Sequence, residues 1–415
     1  MNSILALFLA GGLLVTTLTG CSAQIVEKSK VDKPVVVEPV VSPVVHEPIT
    51  DAGLFNIENE KSYKTVESLF RIVKKDGENN MISPLSLQLA LGMAVTGASG
   101  ETRYEIEKFM NCDAGTLSNK SFELFQNIDE IDEDSETKLS IANSMWVDKG
   151  TRTTYISSFE DVLKNDFRAD IKEVVLSESE EEINNWAKEK TEGMIPKIVD
   201  DITPETKSIL LNAVYFAGVW DDPFEEEYTK EEDFTLNSGE KVKVDMMSGF
   251  ADSYFENKEA IAVAKEYEDG FSFVAVLPKK DVDSIDMQDL LKDGEVDCQA
   301  ITLKLPKFKF DGSYKLNGAL KQLGINKAFD RNNADFSNMS TTPYFISEVF
   351  QRTAVEMDEK GTKAAAVTGI MFDTCSIEID ERPIKNVVLD RPFMFMILDD
   401  DNNILFYGNI ENPNN

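Results

Sequence analysis

DEKGTKAAAVTGIMFDTCS, residues 358–376, follows an apolar, strand-like run, ISEVFQRTAVEMD, at 346–358. Taken at period two, one set of its positions is Thr362, Ala364, Ala366, Thr368, Ile370 and Phe372. None is charged and the first four are small. The other set is Lys363, Ala365, Val367, Gly369, Met371 and Asp373, with a charge near each end. That alternation is the pattern of a strand with one buried face. Alanine and glycine are nevertheless poor strand formers, so nothing local drives the stretch into a sheet. KAAAV also reads as half a helix, since alanine is the best helix former. A segment able to be a strand without being driven to be one suits a loop that joins a sheet later.

Composition removes whole classes of function. The chain has 415 residues, with 75 acidic against 42 basic, a net charge of −33. That charge opposes binding to nucleic acid or to anionic membrane surfaces and favours basic partners. The single histidine, His46, lies in a proline-rich stretch. A Ser-His-Asp or Cys-His pair, or an HExxH zinc site, is therefore excluded from the folded region. The cysteines, Cys21, Cys112, Cys298 and Cys375, have no metal-ligand spacing and are too few for a disulfide framework in so long a chain. No cofactor is expected.

The N-terminus has its own grammar. Residues 4–18, ILALFLAGGLLVTTL, are apolar but short for a membrane span. The LTGC that ends at Cys21 resembles the lipobox of bacterial lipoproteins, which makes residues 1–20 a signal peptide and Cys21 the lipidated residue. The absence of Lys or Arg ahead of the apolar run departs from that pattern. Residues 21–53 carry prolines at 34, 39, 43 and 48 and read as an extended spacer. About 30 residues at ~3.1 Å each would reach up to ~90 Å. The expectation is an exported protein, lipid-anchored to the outer membrane or cell surface or released outside, touching membrane only through its lipid.

From Leu54 to the end the chain shows no linker or repeat and reads as one domain, 54–415. YKTVESLFRIVKK (63–75) has helical spacing. NNMISPLSLQLALGMAVTGASGETRYEIEKFM (79–110) opens with a turn, then Ser83 as N-cap and Pro84 at the first helical position. LSIANSMWV (139–147), KSILLNAVYFAGVW (207–220, with a glycine break), FSFVAVLP (271–278) and ITLKLPKFKF (301–310) read as strands, the last alternating throughout. SESEEEINNWAKEKTEG (177–193) is an acidic amphipathic helix. Near the end two strands flank DDDNN. Helices dominate the first half and strands the second, so the class is α+β with a large, mostly antiparallel sheet.

The same segments carry a resemblance. Glu359, Gly361, Thr362, Ala364, Ala365, Ala366 and Thr368 match the proximal hinge of the reactive-centre loop of serpins. NNMISPLS, GASGET, ANSMWV, INNWAKEKTEGMI, ILLNAVYFAGVWDDPF, LPKFKF, LGINKAF with ADFS, RPFMFMI and ILFYGNIENP resemble further serpin segments, in the family's order. The resemblance spans 54–413. It implies the serpin fold: a large main sheet, smaller sheets, eight or nine helices and an exposed loop at about 359–386. It also implies a monomer that is no enzyme. Its partner would be a serine or cysteine endopeptidase, trapped as an acyl-enzyme when the cut loop inserts into the main sheet. No charge or proline occupies the inward hinge positions, which favours an inhibitor over a non-inhibitory relative acting as an envelope binding protein. Counting forward from Gly361 by the family's spacing puts the reactive bond at Cys375–Ser376. Counting back from Pro392 puts it near Glu381–Arg382, where Pro383 would block cleavage after the arginine. A shutter beneath the sheet would involve Ser83, Ser86 and Gln351. The family usually has histidine at that last position, and Gln351 also reads as an ordinary strand glutamine facing water.

Overall fold

The computed structural model describes residues 55–131, 137–200, 202–280, 285–362 and 382–415. Cys21, the spacer and the loop positions Ala364, Ala365, Ala366, Thr368, Cys375, Ser376 and Glu381 lie outside the described residues. The description therefore concerns the unit His46–Asn415.

Helices α1 (Glu60–Val73), α2 (Pro84–Gly97), α3 (Gly100–Met110), α4 (Ala114–Glu130), α5 (Ser157–Asp166) and α6 (Glu180–Lys190) precede residue 191; α7 (Met287–Asp293) and α8 (Asn317–Gln322) are shorter. Helix α1 is capped by the Asn59 side chain, which accepts from the Lys61 and Ser62 N–H groups. Helix α2 begins as its sequence predicts, with Pro84 in the first turn and Ser83 Oγ accepting from the Ser86 N–H at 3.1 Å. Thirteen of its 14 residues are buried. A helix apolar on every side must lie inside the molecule, and α2 is the one on which the sheets rest.

Sixteen strands occur among the described residues. They are β1 (Asn80–Ile82), β2 (Lys138–Asp148), β3 (Ala169–Val174), β4 (Ser208–Ala217), β5 (Lys230–Thr235), β6 (Lys241–Phe250), β7 (Ser253–Glu256) and β8 (Ala260–Glu266). They continue with β9 (Ser272–Pro278), β10 (Ala300–Pro306), β11 (Phe308–Lys315), β12 (Glu348–Asp358), β13 (Gly361–Thr362), β14 (Ile384–Val388), β15 (Phe393–Leu398) and β16 (Ile404–Ile410). The main sheet runs β11-β12-β4-β2-β3, with β13 against β12. A second runs β1-β16-β15-β9-β8-β7, and a third β14-β10-β6-β5. Pairing is antiparallel except at β12–β4, β2–β3 and β10–β14.

Strand β4 is buried over its whole length because the main sheet is covered on both faces. Its Leu210, Val214 and Phe216 join the large core that holds α2 and the second sheet. Its Ile209, Leu211 and Ala213 join a smaller core with Trp146 and the α6 residues Ile183, Trp186 and Ala187.

Two sequence readings change. ITLKLPKFKF is two strands, not one: Ala300–Pro306 belongs to the third sheet and Phe308–Lys315 to the main sheet. Pro306 has no N–H to extend the ladder, and the buried residues shift phase there, from Ile301, Leu303 and Leu305 to Phe308. The expected turn ahead of Ser83 contains β1, a three-residue strand paired with β16. It is too short for periodicity to reveal.

Candidate functional site

Among the described residues, β12 and β4 of the main sheet are paired over only part of their length. These strands pair only from Glu348 to Arg352 against Ile209 to Ala213. Above that, Thr353–Glu356 and Val214–Ala217 have no ladder pairs with each other among the described residues. At the far end, the chain turns through Glu359 and Lys360 and starts back down the gap. Thr362 pairs with Met357 and Gly361 with Asp358, while Gly361 also bridges Val219 on the β4 side. The Thr362 N–H donates to Gly218 O at 2.7 Å.

Close approach dictates the hinge residues. Gly361 has φ +144°, and a Cβ there would lie 1.9 Å from Gly218 O, so only glycine fits. Thr362 is buried, its hydroxyl 2.8 Å from that of Tyr267. The turn is seated on Trp220 and Phe224. The Trp220 N–H donates to Lys360 O, the Phe224 N–H to Glu359 O, and the Trp220 indole N–H to Asp358 O, at 3.0, 2.8 and 3.2 Å. Trp220 is stacked on Tyr267 at 4.1 Å between centroids.

Glu359 anchors the turn from its other side. Its carboxylate accepts from Thr229 Oγ1 and Lys307 Nζ, each at 2.8 Å. Burial pulls the Glu359 carboxyl upward, but the hydrogen bonds from Lys307 and Thr229 outweigh it and hold the group below its ordinary 4.5. A depressed folded value means that the anchor stabilises the fold above about pH 4.5 and fades as pH falls through the lower value. Glu359→Gln is expected to cost about 1.5–3 kcal/mol near neutrality, the range for hydrogen bonds to a charged group. The gap between wild type and variant should narrow as pH is lowered from 7 to below about 4.5. Urea unfolding at both ends of that range checks it; a constant difference would show that the carboxylate charge is irrelevant.

The residues expected to form a shutter, Ser83, Ser86 and Gln351, meet where β12 and β4 are still paired. Gln351 is buried, not facing water. Its amide clamps the Ser83 main chain: the Ser83 N–H donates to Oε1 at 3.0 Å and Nε2 donates to Ser83 O at 2.7 Å. Thr353 Oγ1 donates to Met81 O at 2.8 Å. Ser86 joins through its N–H to Ser83 Oγ. Directly across from Gln351, Asn212 donates to Asn143 Oδ1 at 2.5 Å. The Asn212 Oδ1 atom is buried without a hydrogen-bond partner among the described residues. Gln351→Ala would strand the Ser83 N–H in the core, so the native state should lose about 1–3 kcal/mol. A urea midpoint unchanged from wild type would show that the clamp holds nothing.

Where the loop rejoins the body, Arg382 makes an exposed ion pair with Asp297 at 2.8 Å, and Pro383 O accepts from the Gln299 N–H. Strand β14 then lies parallel to β10 at the edge of the third sheet.

Of the residues named from sequence, Glu359, Gly361, Thr362, Ser83, Ser86 and Gln351 fall among the described residues and lie around the interval between β12 and β4. Sequence reasoning missed Trp220, Phe224, Tyr267, Lys307, Thr229 and Asn212. The groups they hold in the hinge and around Gln351 stand 50 or more residues away along the chain, where no spacing rule operates.

Comparison with known proteins agrees with this architecture. The profile described as Serpin (serine protease inhibitor) matches residues 64–413. Serpin B6 of Pongo abelii is 30% identical over 370 residues, covering 83% of this chain and 96% of its own. Leukocyte elastase inhibitor of Xenopus laevis is 30% identical over 372 residues, covering 83% and 97%. Among solved structures, the native state of the thermophilic serpin tengpin matches with TM-score 0.76 and 32% identity, covering 89% of this chain and 97% of that one. The chain belongs to the serpin family, whose general role is inhibition of proteases rather than catalysis.

Proposed function

We propose that this protein is a suicide-substrate inhibitor of serine or cysteine endopeptidases. A peptidase attacks the segment that follows the hinge and forms an acyl-enzyme. The freed segment then enters the main sheet between β12 and β4 and carries the peptidase with it. The observation that carries the reading is the seating of Gly361 and Thr362 at the head of the interval where β12 and β4 share no ladder pairs among the described residues.

Register supports it further. Continued residue by residue, the pairing of Thr362 with Met357 sets Ala364 opposite Val355, Ala366 opposite Thr353 and Thr368 opposite Gln351. Continued from the Gly361–Val219 bridge, the other edge sets Thr368 opposite Asn212. Gln351 and Asn212 already pair with each other, so both edges would meet the incoming strand at one level. The inward positions would face the large core beside Val355 and Met357, where small uncharged side chains enter without burying a charge. From Gly361 to Cys375 is about 50 Å at ~3.3 Å per residue. Cys375–Ser376 is the favoured reactive bond, because Arg382 and Pro383 are tied to Asp297 and Gln299.

The test is incubation with a panel of serine and cysteine endopeptidases, followed by denaturing electrophoresis and mass spectrometry of the released peptide. A boiling-resistant complex with cleavage after Cys375 is expected. Cleavage by every peptidase with no covalent complex would leave a non-inhibitory relative. The same reading has the protein exported and tethered through lipidated Cys21, with the spacer holding the bait away from the membrane; labelling with a fatty acid should disappear in Cys21→Ser.

A further inference from the structure

Lys265 sits where a cation is least expected. It lies on β8, is 1% exposed, and makes no ion pair among the described residues. Its Nζ donates to Phe250 O at 2.9 Å. The same Nζ stands 4.9 Å from the centroid of the Phe224 ring and 5.6 Å from that of Trp220. These are the two residues whose main-chain N–H groups hold Glu359 O and Lys360 O, and Trp220 also reaches Asp358 O through its indole. The ammonium is thus set beneath the seat of the hinge, against both rings.

The electrostatic surroundings fit a cation kept for its contacts with the rings. Asp221 and Asp222 from the segment after β4, and Asp252 beyond β6, favour the charge from a distance. Burial outweighs them and holds the Lys265 amine below its ordinary value. Glu266 beside it on β8 is pushed up by burial and by Asp252 and Asp221. A buried cation facing two aromatic rings is attracted to both, most strongly where water is excluded.

We propose that Lys265 is a positioning residue for loop insertion: its ammonium grips the Trp220 and Phe224 rings and so keeps Gly361 and Thr362 seated at the head of the gap. Without the grip, the first two residues of the incoming strand leave their register more often. Insertion then slows relative to deacylation, and more inhibitor is consumed as substrate. This inference rests on the inhibitory reading, but the grip itself has an independent readout.

Lys265→Met keeps an unbranched side chain of similar length and removes the charge. With the fastest-reacting member of the peptidase panel, the stoichiometry of inhibition should rise about three- to thirtyfold, the span of cation–π contacts from partly exposed to desolvated. The rate of loop attack, which does not involve the seat, should be unchanged. The melting temperature should not fall, since a buried cation is replaced by an apolar chain. Lys265→Arg should restore most of the lost efficiency. In wild type the stoichiometry should climb as pH rises toward 10.5 and the amine neutralises, while in the Met variant it stays flat. Hydrogen exchange measured by mass spectrometry on the intact, uncut protein should be faster at the Trp220 and Phe224 amides in the variant. Equal exchange and equal stoichiometry would overturn the proposal. If wild type captures no peptidase, the inhibitory reading fails, and exchange at those two amides still decides whether Lys265 grips the seat.

Discussion

A single cut in the loop, at Cys375–Ser376, is expected to raise the melting temperature by at least about 20 °C. The rise would come with no gain of covalent structure. For a body of about 360 residues each degree corresponds to about 0.75 kcal/mol at the midpoint, so such a shift is on the order of 15 kcal/mol. The source is the gap between β12 and β4. Two strand edges, Thr353–Glu356 and Val214–Ala217, are already ordered in the intact protein but unpaired with each other. Only the incoming strand must lose conformational freedom on insertion, while it gains hydrogen bonds on both sides. Its inward residues add to the core that already holds Val355 and Phe216. On the proposed mechanism the uncut protein would be kept from that state by its connection to β14, and its persistence would be kinetic. Calorimetry of intact and nicked protein decides the matter. If the nicked form melted at or below the intact one, no free energy would be stored and the inhibitory mechanism would have no source of work.

Thr362→Arg should abolish trapping almost completely. Thr362 is buried, its hydroxyl against Tyr267 and its main chain paired to both Met357 and Gly218. An arginine there would bring an unpaired cation beside Tyr267 and Trp220, at a cost of several kcal/mol. The hinge would lift out of the gap rather than accept it. Since every 1.4 kcal/mol shifts the balance tenfold, insertion should be slowed at least about a hundredfold against deacylation. The peptidase would then cleave the loop and leave. The body should fold normally because the loop can stay outside it. The yield of covalent complex, compared at equal cleavage, is the measurement. A yield equal to that of wild type would show that the first inward position does not govern insertion.

Much of this site could be read along the chain because its residues are adjacent. Gly361, Thr362 and the alanines stand together at period two, and Ser83 and Pro84 spell a helix start in two letters. ITLKLPKFKF carried its own correction: the apolar positions change phase at Pro306, and that slip marks the change of sheet. By contrast, Glu359 meets Lys307 and Thr229 across 52 and 130 residues, and Gln351 meets Ser83 across 268. Lys265 reads as one more charge at the end of an apolar run, and its burial beneath Trp220 has no local signature.

Local order along the chain determined the α+β class, the start of the central helix, the absence of histidine chemistry and the small-residue face of the hinge. These follow from side-chain type and period, which act between neighbours. Only the tertiary structure decided that β12 and β4 part after Arg352, that Gly361 and Thr362 occupy the opening, and that Trp220, Phe224 and Lys265 support them. A gap between two strands is a relation between segments more than a hundred residues apart. It arises because the rest of the fold orders both edges before the strand that would join them is free to arrive.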